Sequence, residues 1–239
     1  MLLKSVEAGD LMPVAGTVFH ANLPPEPQPD STALEVTGIA VPAVSEADGK
    51  VGWRAQVAED GRLRIAVCHA LGDGEEAAEV TRTVLGLPFG RTPAETLTSF
   101  HVALFGTVGA AALVVEIDAE QRELWFAGTG DVTLVVAADG VATAMPSQFG
   151  TLGLGPPVAL ASLRSHRTTW ERDLRLLIHT AGVDSPREVT TSLAATAHPA
   201  LACATLVKDH LAEADEACVV AARIGSAEQD ERIDGMMLP

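Results

Sequence analysis

Basic side chains are scarce in this chain: 16 lysines and arginines stand against 32 aspartates and glutamates, a formal net charge of -16 over 239 residues. With no basic stripe to release counterions, nucleic acid and anionic membrane are not expected partners. The acidity favours solubility and leaves room for a protein partner with a basic or apolar face. Long apolar runs are lacking too, none approaching the ~20 residues that cross a bilayer. The opening MLLKSVEAGDLMPVAG carries Glu7 and Asp10 inside its apolar stretch and shows no small-residue cleavage site. No secretory signal is therefore expected, and the cytoplasm is the expected compartment. Cysteines are few, and Cys68, Cys203 and Cys218 include no close pair. That argues against a disulfide framework or a zinc ribbon and for reduced, mostly buried thiols. There is no repeat at solenoid spacing and no long low-complexity tract.

What is present is a regular pattern. Leu23 to Ser31, LPPEPQPDS, is too rich in proline for a sheet ladder and marks a loop or linker. Beyond it, Leu63, Ile65, Val67 and His69 alternate with Arg62, Arg64, Ala66 and Cys68, the period of a strand with one buried face. Asp73 followed by Glu76 reads as a capping box opening one helix, and Thr92-Pro93 opens a second. From Gly109 to Ala144 the pattern is an antiparallel meander, with corners expected at Gly128, Gly130 and Asp139-Gly140. After a glycine-rich connection from Phe149 to Pro157 come two strands, Ala159 to Trp170 and Asp173 to Thr180. Helices over Pro186–Ala197 and Pro199–Leu211 follow, then a closing strand over Ala217–Ile224. This order predicts an α+β, four-layer α-β-β-α sandwich of two antiparallel sheets flanked by helix pairs. The expected boundaries are an N-terminal extension at 1–34, a main domain at 35–224 and an acidic, frayed tail at 225–239.

Two strand exits carry more specific patterns. Val67 to Gly74 reads VCHALGDG and Leu176 to Val183 reads LLIHTAGV. With the run from Gly109 to Gly153, these segments resemble the SpoIIE/RsbU/RsbX-like branch of the metal-dependent (PPM, type 2C) serine/threonine protein phosphatases. That branch shows patterns such as VADGLGHG and LLLYTDGV at the two exits. The resemblance spans roughly residues 35–224, and its order and spacing carry more than any single motif. It implies a site in which carboxylates hold two manganese or magnesium ions around a nucleophilic water.

The carboxylates are what this chain lacks. Aligned at Trp53, the family's Gly-Asp-x-Trp pattern falls on Lys50 and Val51; the bridging Asp-Gly falls on His69 and Ala70, and the later Asp-Gly on Ala181 and Gly182. Of the four ligand positions only Asp215, in the run Asp215-Glu216-Ala217-Cys218, keeps its carboxylate. The resemblance therefore implies a degenerate member, a pseudophosphatase with no catalytic residue and no cofactor. It would regulate a protein partner, a STAS-type anti-anti-sigma factor or a cognate kinase, in a partner-switching or stress circuit. The alternative is an active phosphatase or other hydrolase with an altered metal site, using manganese or magnesium. In a variant of it, His69 and His179 share a site-facing parity and join Asp215 and Cys218 around a softer metal. Asp48 reads as an Asp-Gly turn residue that a slipped loop could bring in. A Cys68-His69 nucleophile is disfavoured because adjacent strand residues face opposite ways. Gly150, Gly153 and Gly155 read as a turn rather than a phosphate cradle, since no P-loop lysine or helix follows.

Overall fold

The structure, a computed structural model, describes residues 18–23, 32–42, 49–145, 147–155, 163–212 and 216–226. Two sheets are stacked. One has six strands in the order β1 (Val18–Leu23), β2 (Thr32–Val41), β11 (Ala217–Ser226), β10 (Leu174–Thr180), β7 (Val132–Ala138) and β8 (Val141–Met145). The other has five, in the order β3 (Val51–Val57), β4 (Leu63–Ala70), β5 (Ala110–Asp118), β6 (Glu123–Thr129) and β9 (His166–Thr169). Every named pairing is antiparallel.

Strand alternation sorts the side chains into three apolar layers. Between the sheets lie Ile65, Val67, Leu113, Val115, Leu134, Val136, Leu176, Ile178 and Val220, with Trp53 fully buried among them. The opposite faces of β4 and β5 carry small residues, Ala66, Cys68, Ala70, Ala110 and Ala112. Small side chains there let α1 (Gly74–Gly86) and α2 (Pro93–Ala103) lie close on the sheet, burying Val80, Val84, Leu97 and Phe100. On the far side, α3 (Arg187–Thr196) and α4 (Pro199–His210) cover Val135, Leu177, Val219 and Ala221. The result is the expected four-layer sandwich. Among the described residues no helix is long and apolar enough to cross a membrane.

Several boundaries differ from expectation. The sheet begins before residue 35: β2 starts at Thr32 and pairs with β1, so part of the N-terminal segment is an added edge strand. At the other end β11 runs to Ser226, past the expected limit of 224, because its full length pairs with β2. Of the strand expected over 159–170, residues 159–162 lie outside the described residues, and the strand among the rest is His166–Thr169, paired with Glu123 to Phe126 of β6. Gly128 lies inside β6 and is not a corner; a Cβ there would come within 2.7 Å of Ser147 Oγ, so its bareness admits that side chain. Gly130 and Asp139-Gly140 are the turns expected, all with positive φ. The carboxylate of Asp139 accepts N–H bonds from Glu171, Arg172 and Asp173, which hold its pKa below the usual range and pin the hairpin to the start of β10.

Candidate functional site at the sandwich rim

The two family-like strand exits do come to one rim. Val51, the first residue of β3, is the cross-strand partner of His69 on β4. Ala70, fully buried at the end of β4, donates its N–H to the Lys50 carbonyl at 2.7 Å, and Thr81 Oγ1 of α1 donates to the same carbonyl at 2.8 Å. The Lys50 N–H in turn donates to Glu216 Oε2 at 2.5 Å. Glu216, only 2% exposed, directly precedes β11 in the other sheet. Gly182, just past β10 beside the exposed Ala181, packs so tightly on this segment that a Cβ would sit 1.9 Å from the Glu216 carbonyl oxygen. Below it Thr180 Oγ1 accepts the Cys218 N–H at 3.0 Å. Positions 50, 51, 69, 70, 182 and 216 are thus linked across both sheets, with Glu216 as the carboxylate at their centre.

One charge pair stands at this rim. Lys50 Nζ reaches Asp73 Oδ1 at 2.9 Å. That pair corrects the expected capping box: Asp73 is the N-cap of α1 by position and backbone shape, but its side chain makes no capping bond because it is turned to Lys50. Thr92 does cap α2, accepting the Glu95 N–H at 3.2 Å. Sequence reasoning passed over both Lys50 and Glu216. The available signal was charge: a lysine replaces a glycine of the family pattern while Asp73 and Glu216 stand close in the same motifs. Asp215 and Asp48 lie outside the described residues.

His179 does not face this rim, contrary to the shared parity expected with His69. On β4 the odd residues Ile65 and Val67 face the inter-sheet core, so His69 follows them toward the rim. On β10 the even residues Leu176 and Ile178 do so, and His179 falls in with Leu177 on the side covered by α3. There it borders a cleft with Thr133, Ser185, Arg187 and Thr190. Its Nδ1–H donates to the Thr180 carbonyl at 3.2 Å, and burial pushes the imidazole below its ordinary pKa, toward the neutral form. His69 and His179 therefore cannot share a metal through adjacent ring faces.

The thiols are equally separated. Cys68 faces α1, opposite to His69 as alternation requires, and Cys218 lies in the inter-sheet core. Cys203 lies on the buried face of α4, its Sγ at 3.5 Å from the Thr37 carbonyl. Burial pushes Cys68 and Cys203 up to about 12 and Cys218 well above its ordinary value. A thiol that cannot ionise is a poor nucleophile, so a disulfide reagent at mildly alkaline pH should label none of the three in the folded protein and all three after denaturation. Fast labelling of one thiol in the native state would contradict this packing.

The glycine-rich loop is a turn, as expected. Gly130 N–H donates to the Gln148 carbonyl, Gln148 N–H to Gly128, and Leu152 exchanges two bonds with Ala110. Gly153, at φ +83°, donates its N–H to Nδ1 of the fully buried His101 at 3.0 Å. Backbone donors spent in this way are not offered to a phosphate.

No family model matches the sequence and no curated protein resembles it closely enough to count as a relative. Solved structures do match. RsbX in complex with magnesium superposes with a TM-score of 0.71 at 18% identity, over 80% of this chain and 96% of that one. The RsbU and RsbW domains of Rv1364c from Mycobacterium tuberculosis give 0.65 at 18% identity, over 83% and 63%. The catalytic domain of the serine/threonine protein phosphatase PstP, in complex with two manganese ions, gives 0.60 at 14%, over 82% and 100%. The fold is that of the type 2C phosphatases.

A type 2C site must balance the charge of two divalent ions with anionic oxygen. The described rim does not fit that task. Val51 and Ala181 offer no side-chain donor, His69 offers an imidazole, and the Glu216 carboxylate is engaged by the Lys50 N–H. A lysine ammonium already stands at the rim, 2.9 Å from Asp73. Among the described residues, no cluster of three or more histidine, cysteine, aspartate and glutamate side chains is placed to hold a metal.

Proposed function

We propose that this protein is a phosphatase-like domain without phosphatase activity, which regulates a protein partner by binding it in a bacterial partner-switching or stress-signalling circuit. The observation that carries the reading is the Asp73-Lys50-Glu216 linkage at the rim, where a type 2C site needs carboxylates free for cations. Among the described residues, the Lys50 ammonium engages one oxygen of Asp73 and the Lys50 N–H one oxygen of Glu216, which supports a rim occupied by the chain's own groups. Similarity to RsbX and to a protein carrying RsbU and RsbW domains supports the circuit. The partner first to be tested is a STAS-type anti-anti-sigma protein or its cognate kinase, in the cytoplasm.

The purified protein should show no manganese- or magnesium-stimulated hydrolysis of p-nitrophenyl phosphate or of a phosphoserine peptide, because water without a metal keeps its unreactive pKa. Metal-stimulated turnover lost in Asp215→Ala would overturn the reading and establish the alternative, a hydrolase with an altered metal site.

A further inference from the structure

On the outer face of the six-stranded sheet, the start of α3 borders a cleft of about 340 Å³, at the lower end of the range for small-molecule sites. Thr133 of β7 and His179 of β10 are cross-strand partners, so their side chains stand together on its floor. Ser185 and Arg187 line it from the α3 side. Two polar groups here are unspent. His179 is only 7% exposed and gives its Nδ1–H to the Thr180 carbonyl, while its Nε2 lone pair faces the cleft with no partner among the described residues. The hydroxyl of Ser185 is shielded from bulk solvent and has no partner either. Buried polar groups are nearly always paired, and two unpaired ones around one cleft point to a ligand that pairs them.

Charge selects the class of ligand. No acidic side chain lines the cleft, in a chain with 32 acids against 16 bases, and Arg187 meets no carboxylate among the described residues. Asp131, a carboxylate near His179, is exposed before β7 and is not part of the lining. Arg187 is also the first residue of α3, whose N-cap, Pro186, has no side chain to occupy the free N–H groups of the first turn. We propose that this cleft binds a phosphate group, free or on a small phosphomonoester. Its oxygens accept from the Arg187 guanidinium and from the Ser185 and Thr133 hydroxyls, and its one protonated oxygen donates to Nε2 of His179. Burial keeps that imidazole neutral, so Nε2 is an acceptor and requires a proton from the ligand. A phosphomonoester, with a second pKa of about 6, still carries that proton in part at neutral pH, whereas sulfate carries none. The inference does not depend on the absence of phosphatase activity, since His179 faces away from the rim. Turnover assays test that reading, and binding beside α3 tests this one.

The test is nitrogen-15 magnetic resonance of the full chain at neutral pH and constant ionic strength, titrated in turn with inorganic phosphate, glycerol 3-phosphate and sulfate. Both phosphates should produce saturable shifts on the ring nitrogens of His179 and on the amides of residues 185–190, with sulfate at least about tenfold weaker. Tighter binding of the ester would place the source in a phosphomonoester, tighter binding of phosphate in the free ion, and each supports the site. Arg187→Gln, at an exposed position, should weaken binding by about tenfold or more, and Ser185→Ala should weaken it severalfold. Arg164→Gln removes the same charge at an exposed position just before β9 and should leave binding nearly unchanged. Sulfate binding as tightly as phosphate, equal weakening by Arg164→Gln, shifts centred on the rim instead of α3, or no saturation below about 10 mM would overturn the proposal.

Discussion

Combining Lys50→Gly, Val51→Asp, His69→Asp, Ala70→Gly and Ala181→Asp should create manganese binding that calorimetry detects. The frame for it exists: Val51 and His69 are already cross-strand partners, and Gly182 already brings the Ala181 corner against Glu216. What the rim lacks is anionic oxygen at those positions, and Lys50 supplies a competing cation. The new carboxylates should cost stability without metal. Aspartates at the two paired positions would stand directly opposite one another near Glu216, and like charges so placed repel. A loss of roughly 3 kcal/mol would lower the melting temperature by about 6–12 °C in a domain of this size. Manganese binds only the folded variant and should restore much of that loss, with no such rescue of wild type. A variant that folds yet gains no affinity would mean that the loops have diverged along with the ligands.

Gly182→Ala should be among the most damaging single changes in the protein, although it adds one methyl group far from the middle of the core. Its Cβ would lie 1.9 Å from the Glu216 carbonyl oxygen and 2.7 Å from that carbonyl carbon. Both are backbone atoms, which cannot rotate away, so the β10 corner and the start of β11 must separate. The Lys50–Glu216 bond and the Thr180–Cys218 bond would go with them. Overpacking typically costs about 1–3 kcal/mol, and a clash with immovable backbone belongs at or above the upper end. Chemical denaturation should show a loss of about 3 kcal/mol or more, whereas Gly86→Ala, with open space around its Cβ, should be neutral or stabilising. A wild-type-like midpoint for Gly182→Ala would contradict the tight junction at the rim.

Most of the fold was legible because burial in a sandwich imposes simple periods. β4 alternates cleanly, the DG turn at Asp139-Gly140 can hardly be anything else, and Pro93 and Pro199 open helices where proline is tolerated. The edge strand β1 was not legible, because an edge is defined by the neighbour it pairs with and its sequence alone does not reveal that. Within the site, Val51, His69, Ala70 and Ala181 could be named only through the family resemblance, and the structure links the positions on both sheets at one rim through Lys50, Glu216 and Gly182. The parity of His179 was misjudged because alternation fixes faces only within a strand. Which parity faces inward depends on how each sheet is placed, and that is a tertiary fact. The roles of Lys50 and Glu216 were hidden for a similar reason: their bond spans 166 residues of sequence, and no local pattern encodes it.

The central claim is that the rim no longer holds metal, and the most direct measurement is titration of the wild-type protein with manganese, following free Mn²⁺ by electron paramagnetic resonance. The expected result is a free-ion signal that rises in proportion to added metal, as in buffer, with no binding tighter than the millimolar range. Saturable uptake of two ions per chain at micromolar concentration, lost in Asp215→Ala, would contradict it and return the protein to the metal-dependent enzymes.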